Sequence, residues 1–392
     1  MISPIYSTLY LLLLFALLAL WWVEYKSKSG QNTRKQAVYI CAVVYILFFG
    51  LRGFVGWDWF NYYPTFQQTP SLFQLDKTSI SAFSEFGFVI YMSIFKTLSL
   101  DYHSFVFFSA VIHVWLLSIF LNRYLPSGFY VFGFIIFLVM NGLVMEIDLK
   151  RNYKAILLFL ISIKYIEKRK ILPYFLLNAI GLMFHVSAIV FFPLYFFLHR
   201  PVRKNWMLII FIIGLIIFFL QISFLKPLGL FVANLLGDRF VHLVYAYIFD
   251  TPYGITIGLL ERLGSATLIY LCYDKLLAKS KSNIIFINSF ILYFVVFFYF
   301  NEAFTISHRM GFLFIFSYWI LWPSIIDALM IVKNKIIFIF LFSVYSILKM
   351  IGTTNLPVWR YDNILFGIEK YETRASELLR VEQYVVELRE NN

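Results

Sequence analysis

Long apolar runs recur along the whole of this chain, and they limit its fold more than any other feature. The run Leu208–Leu220 contains no polar or charged side chain. Stretches of similar character cover roughly 4–23, 37–54, 86–100, 103–122, 129–146, 153–166, 171–199, 206–225, 254–277, 284–301, 310–332 and 336–351, where about 20 residues make a full membrane span. A backbone in hydrocarbon has no water to bond, so only helices and closed barrels can cross. Barrel strands alternate apolar and polar residues, which unbroken runs do not. The expected fold is therefore all-α: a polytopic transmembrane helical bundle of roughly 11–14 helices. Residues 1–365 are expected to form a single membrane domain. Within it 226–253 would be an external loop with short helical elements, and 366–392 would follow as an amphipathic C-terminal tail. No polar stretch is long enough to build a separate soluble core.

Charge sets the expected topology. The chain is 61% hydrophobic and 14% charged, with a formal net charge of +12. Its Lys and Arg residues collect in short loops at 24–36, 164–170, 200–204, 275–281 and 333–335, which is the positive-inside pattern rather than a nucleic-acid surface. No positive residue precedes the apolar run 4–23, and Lys26 and Lys28 follow it, so it reads as a retained first helix rather than a signal peptide. Counting crossings forward then puts the basic loop 164–170 on the wrong side, unless 129–146 is re-entrant or broken. Likewise 171–199 as one helix would run about 42 Å, too long for a core of about 30 Å. A break near Gly181 and His185 would return the chain to the side it came from. Irregular backbone at membrane depth is tolerated where it lines protein or water, so both anomalies suggest an outward-facing polar cavity.

A few titratable residues lie inside or beside these apolar runs, where a charge costs on the order of 2.5–3.5 kcal/mol. On the outer side of this topology fall Arg52, Asp58, Tyr62, Glu85, Arg151, Lys154, His185, Arg262, His308 and Arg309, with Arg239 and Asp250 in the 226–253 stretch. Each also has a plainer reading. Arg52 and Asp58 could pair at the interface, and Arg151 and Lys154 could be flanking topology charges. His185 could be a satisfied core histidine, Glu261 and Arg262 a structural pair, and His308 and Arg309 snorkelling groups. As a set, arginines with carboxylates and tyrosines suit an anionic, polyhydroxylated ligand. Guanidinium forks grip phosphate, and carboxylates can accept a hydroxyl proton. Cys41 and Cys272 sit in apolar runs and read as core residues, with no metal site or disulfide indicated. Walker A, HExxH and G-x-S-x-G motifs are missing.

Five segments carry a resemblance, in order along the chain. Arg52, Gly56, Asp58 and Tyr62 have the spacing R-x-x-x-G-x-D-x-x-x-Y, and Glu85–Phe88 reads E-x-G-F. Arg151–Ala155 is similar to R-Q-x-x-A, Phe184–Ala188 reads F-H-x-S-A, and His308–Phe312 is similar to a late x-R-x-x-x-F helix start. In the last of these Phe312 stands one residue short of the aromatic position of the x-R-x-x-x-Y/F pattern. Together the segments resemble the EpsG-type, Wzy-like bacterial polysaccharide polymerases that make O-antigen, capsule or exopolysaccharide. Trp57 and Asn152 depart from the usual small or Thr residue and Gln. The resemblance implies a metal-independent, cofactor-free glycosyltransferase of the bacterial inner membrane with its site facing the periplasm. Its substrates would be oligosaccharide repeat units on undecaprenyl diphosphate. Its other partners would be the phospholipid membrane, a flippase and a chain-length regulator. Asp58, Glu85 or His185 would take the acceptor proton, while Arg52, Tyr62, Arg151, Lys154, Arg262, His308 and Arg309 would bind diphosphate and sugar. A membrane acyltransferase using His185 and Arg52, or a lipid-linked-oligosaccharide flippase or transporter, are the competing readings.

Overall fold

A computed structural model describes residues 2–27, 31–76, 85–236, 241–242, 244 and 254–390. The described residues are helical, with no strand among them beyond the isolated bridges Arg52–Asn363 and Asn363–Gly367. In chain order the helices are α1 (Thr8–Lys26), α2 (Gln31–Gly50), α3 (Trp59–Gln68), α4 (Phe86–Thr97), α5 (Tyr102–Tyr124), α6 (Tyr130–Phe137), α7 (Leu143–Ile147), α8 (Lys150–Glu167) and α9 (Ile171–Phe184). They continue as α10 (Phe191–Phe197), α11 (Lys204–Phe219), α12 (Leu225–Leu236), α13 (Ile257–Lys279), α14 (Asn283–Tyr299), α15 (Phe304–Phe314), α16 (Phe316–Ala328), α17 (Val332–Thr354) and α18 (Tyr371–Glu390). The chain forms two compact units, Met1–Phe192 with Ile331–Asn392, and Pro193–Met330.

Among the described residues four helical stretches are long and apolar enough to cross a membrane: Pro4–Lys26, Tyr102–Tyr124, Tyr130–Ile147 and Val332–Thr354. A fifth is the pair α15 and α16, bent by 54°. Other apolar stretches fold as helices of 10–17 residues, including α4, α9, α11 and α14. At about 1.5 Å per residue these are too short to span alone, so the dozen expected segments yield fewer full-length spans. The apolar faces point outward, as lipid-facing helices require. Ile209, Ile212, Ile213 and Ile216 of α11 and Ile336, Phe340 and Leu341 of α17 are all exposed. The chain is thus a multi-pass α-helical membrane protein.

Polar side chains fix the helix ends that matter for the site. Glu24 on α1 accepts from the Tyr130 and Val131 amides at 3.1 and 2.9 Å, satisfying the otherwise unpaired start of α6. Asp101 caps α5 through the Ser104 amide at 2.8 Å. In the second unit the Glu302 carboxylate accepts from the Phe224 and Leu225 amides at 2.7 and 2.5 Å and from the Ser223 hydroxyl, holding the start of α12.

Two interruptions shape the first unit. Between α6 and α7 the backbone leaves helical geometry at Met140 (φ −91°, ψ 65°) and Asn141 (φ 64°, ψ 1°). Asn tolerates the left-handed region better than most side chains. Between α9 and a 3₁₀ turn at Val186–Val190, His185 is extended (φ −159°, ψ 133°).

Candidate functional site

The loop between α2 and α3 carries the first sequence motif, and its geometry explains the motif's spacing. Arg52 is buried and donates to the Glu146 carbonyl at 2.9 Å and to the Phe49 carbonyl, so its fork ties α2 to α7. Gly56 lies at φ +87°, and a Cβ there would sit 2.3 Å from Oδ1 of Asp148. Only glycine fits both the conformation and the approach. That same Oδ1 accepts from the Trp57 amide at 2.7 Å and the Asp58 amide at 3.1 Å. Asp148 is thus the receptor for the start of α3. It is 5% exposed, and burial followed by repulsion from Asp58 raises its pKa to about 7, against the pull of the two amides and Arg52.

Across the start of α3 lies a second cluster, drawn from four elements. Arg151, at the first turn of α8, pairs with Glu85, the residue that opens α4. Nε2 of His185 is 3.9 Å from the other Glu85 oxygen. Ser187 holds that histidine: its amide donates to Nδ1 at 3.2 Å, and its hydroxyl lies 2.7 Å from Nδ1. The Ser187 hydroxyl also donates to Oδ1 of Asn152 at 2.8 Å. An amide can only donate, so Nδ1 is its acceptor and the proton of a neutral ring sits on Nε2, facing Glu85. Side-chain exposures of 34% for Arg151, 27% for His185 and 11% for Glu85 leave the cluster partly open. The Arg151 guanidinium lies 5.8 Å from the Tyr62 ring, which joins this cluster to the first.

Two more cations stand beside it. Lys150 is buried, donates to the Tyr102 hydroxyl at 2.7 Å and lies 5.2 Å from the Tyr62 ring. Lys154 is buried one turn on, 4.7 Å from the Tyr91 ring and 5.7 Å from that of Phe88. Three cations in the first five residues of one helix oppose its dipole. Aromatic faces and Tyr102 offset part of that cost. Beneath them Nδ1 of His113 meets both oxygens of Glu146 at 3.1 and 3.0 Å, both residues buried.

The structure therefore brings Arg52, Asp58, Tyr62, Glu85, Arg151, Lys154 and His185 together in the first unit. Arg262, His308 and Arg309 belong to the second. Arg262 lies 3.7 Å from the Phe297 ring and 5.8 Å from that of Tyr293. His308 and Arg309 are exposed on α15, with the His308 ring against Phe304 and Phe312. Of the expected external stretch 226–253, Arg239 and Asp250 lie outside the described residues. Sequence reasoning assigned no role to His113, Glu146, Asp148 or Lys150. It also left the tail without a place. Arg374 on α18 is buried and donates to the Phe54 carbonyl from Nε at 3.1 Å and Nη2 at 2.7 Å. A separate open cavity of about 390 Å³ lies against Leu51, Asp101, His103, Ser104, Phe107, Phe108, Ile364 and Ile368, and none of the expected site residues lines it. Among the described residues no group of three or more His, Cys, Asp or Glu is arranged around a metal position.

Fold and site together define a multi-pass helical membrane protein with a cation-rich polar cluster built at helix ends. The model of the EpsG family matches residues 37–365, and the chain belongs to that family. Every motif named above lies inside the matched stretch. No curated protein and no solved structure matches the chain.

Proposed function

We propose that this EpsG-family protein is a polysaccharide polymerase that joins oligosaccharide repeat units carried on undecaprenyl diphosphate, at the outer face of the bacterial inner membrane. The observation that carries the reading is the Glu85–Arg151 pair with His185 held beside it by Ser187 and Asn152. An acceptor sugar hydroxyl attacks the anomeric carbon of the growing chain, and the bond from that carbon to the diphosphate oxygen breaks. The lipid diphosphate leaves with the electron pair, and the acceptor proton passes to Glu85, whose carboxylate the Nε2–H of His185 faces. Arg151, partly open and flanked by Lys150 and Lys154, stabilises charge as it develops on the leaving diphosphate. Asp58 and Tyr62, at the start of α3, face the sugar. Arg52 acts from beneath by fixing the loop that carries them. Arg262, His308 and Arg309, in the second unit, are proposed as further diphosphate- or sugar-binding residues on the strength of the family motif and their charge. The scheme needs no metal and no cofactor. A flippase supplying the outer leaflet and a chain-length regulator are the partners it implies.

Extension in vitro tests this. Purified protein is mixed with lipid-diphosphate-linked repeat units, with and without chelator, and the products are resolved on a gel. A ladder spaced by one repeat, unchanged by chelator and absent from a folded Arg151→Ala variant, is the expected result. Unextended single units from well-folded wild-type protein, across several repeat structures, would sink the reading in favour of an acyltransferase or a flippase.

A further inference from the structure

The family match ends at residue 365, and the loop bearing its first motif is held in part from beyond that point. We propose that Arg374, on the C-terminal helix α18, is a positioning residue for the 52–58 loop. The backbone of that loop has little internal bonding, and the C-terminal segment supplies it. The Gly53 amide donates to the Asp362 carbonyl at 3.2 Å, the Gly56 amide to the Val358 carbonyl at 2.9 Å, and the Ile364 amide to the Leu51 carbonyl at 2.9 Å. Arg374 completes the set with two bonds to the Phe54 carbonyl and one from Nη2 to the Arg360 carbonyl at 3.0 Å. Glu377 fixes the guanidinium from the other side at 2.6 Å. One turn earlier, Tyr371 stacks on Tyr63 with ring centres 4.8 Å apart and meets Trp59 edge-on at 5.6 Å. The tail helix thus grips both the loop and the start of α3.

The consequence runs through Asp58. Its amide and that of Trp57 are seated on Asp148, and Tyr62 one turn on lies beside Arg151. Releasing Phe54 removes the restraint upstream of that seat. Arg374 touches none of the groups assigned to substrate, so its effect is on placement. Bidentate geometry at one carbonyl requires the planar fork, which a lysine cannot reproduce.

The placement claim stands apart from the reaction; only its kinetic consequence rests on the polymerase reading. The test uses full-length protein in nanodiscs and three variants: Arg374→Ala, Arg374→Lys and, as a control on an exposed position of the same helix, Glu382→Ala. Amide hydrogen exchange across 51–63 is measured first. Exchange at least tenfold faster in Arg374→Ala, intermediate in Arg374→Lys and unchanged in Glu382→Ala is expected. Extension assays should then show turnover falling at least tenfold in Arg374→Ala with donor KM changed less than threefold, and partial recovery in Arg374→Lys. Wild-type exchange across 51–63 in a folded Arg374→Ala variant overturns the proposal. So does loosening spread evenly over the whole first unit, which marks a general stability role. Wild-type protein that makes no polymer overturns the polymerase reading alone, since the exchange result still decides what Arg374 does.

Discussion

Asp148 shows how one side chain ties a motif to its partner. The R-x-x-x-G-x-D-x-x-x-Y spacing was visible in the sequence. What the glycine at position 56 must accommodate was not, because Asp148 lies some ninety residues away. No periodicity links the two. The carboxyl is buried, repelled by Asp58 and raised to about 7 from an ordinary 3.8. An acid whose folded pKa is raised binds protons more tightly in the folded state. Its stabilising contribution is complete below about pH 3.8 and is lost as pH rises through about 7. The difference between those limits is on the order of a few kcal/mol. Thermal unfolding in nanodiscs between pH 4 and 8 should therefore show stability falling with pH more steeply in wild-type protein than in Asp148→Asn. The asparagine keeps an oxygen for the Trp57 and Asp58 amides without a charge to bury. Parallel pH profiles for the two proteins would mean that Asp148 does not titrate in this window.

Helix interruptions do at the level of elements what Asp148 does at one position. The length of 171–199, with Gly181 and His185 at its middle, raised the question of a break, and His185 is extended between α9 and a 3₁₀ turn. What composition could not show is that the break turns a histidine toward Glu85 and fixes it by a relay. Asn152 on α8 accepts from Ser187, and Ser187 holds Nδ1. The contact joins residues 35 apart on different elements, so spacing within either helix says nothing about it. Nor could the length of each apolar run tell that several would fold as helices of 10–17 residues. The relay makes a quantitative expectation. Ser187→Ala and Asn152→Ala should each lower turnover about tenfold by letting the His185 ring rotate, worth about 1.4 kcal/mol apiece. The double variant should fall scarcely further, because both changes break the same chain. A double-mutant cycle on extension rates checks this, and additive losses of about a hundredfold would show that the two residues act independently.

Across the whole molecule the decisive question is which ends of the helices share a face of the membrane, and the contacts of the first unit answer it for one bundle. α8 runs 18 residues, about 27 Å, close to the thickness of a hydrocarbon core. Its first turn carries Arg151 and its last leads into Lys168, Arg169 and Lys170, so the polar cluster and the basic loop sit at opposite ends. Phe366 belongs to the Arg151 end: Arg52 bridges Asn363, Asn363 bridges Gly367, and Tyr62 of the adjoining α3 lies beside Arg151. Charge counting placed 164–170 inside but left the tail without a side, because both signs of charge are mixed along it. Docking of α18 through Arg374 supplies the missing assignment by joining the tail to the motif loop. The two native cysteines, Cys41 and Cys272, are buried, so a membrane-impermeant maleimide should find little to label in the unmodified protein. Placed singly, a cysteine at Phe366, which is 91% exposed, should label in intact cells from outside. One at Lys168, also exposed, should label only after the membrane is opened. Labelling of both positions in intact cells would place the basic loop and the cluster on one face. The reverse pattern, Lys168 labelled in intact cells and Phe366 only after the membrane is opened, would remove the positive-inside topology and with it the outward-facing diphosphate site, since a lipid-linked donor in the outer leaflet could not then reach Arg151.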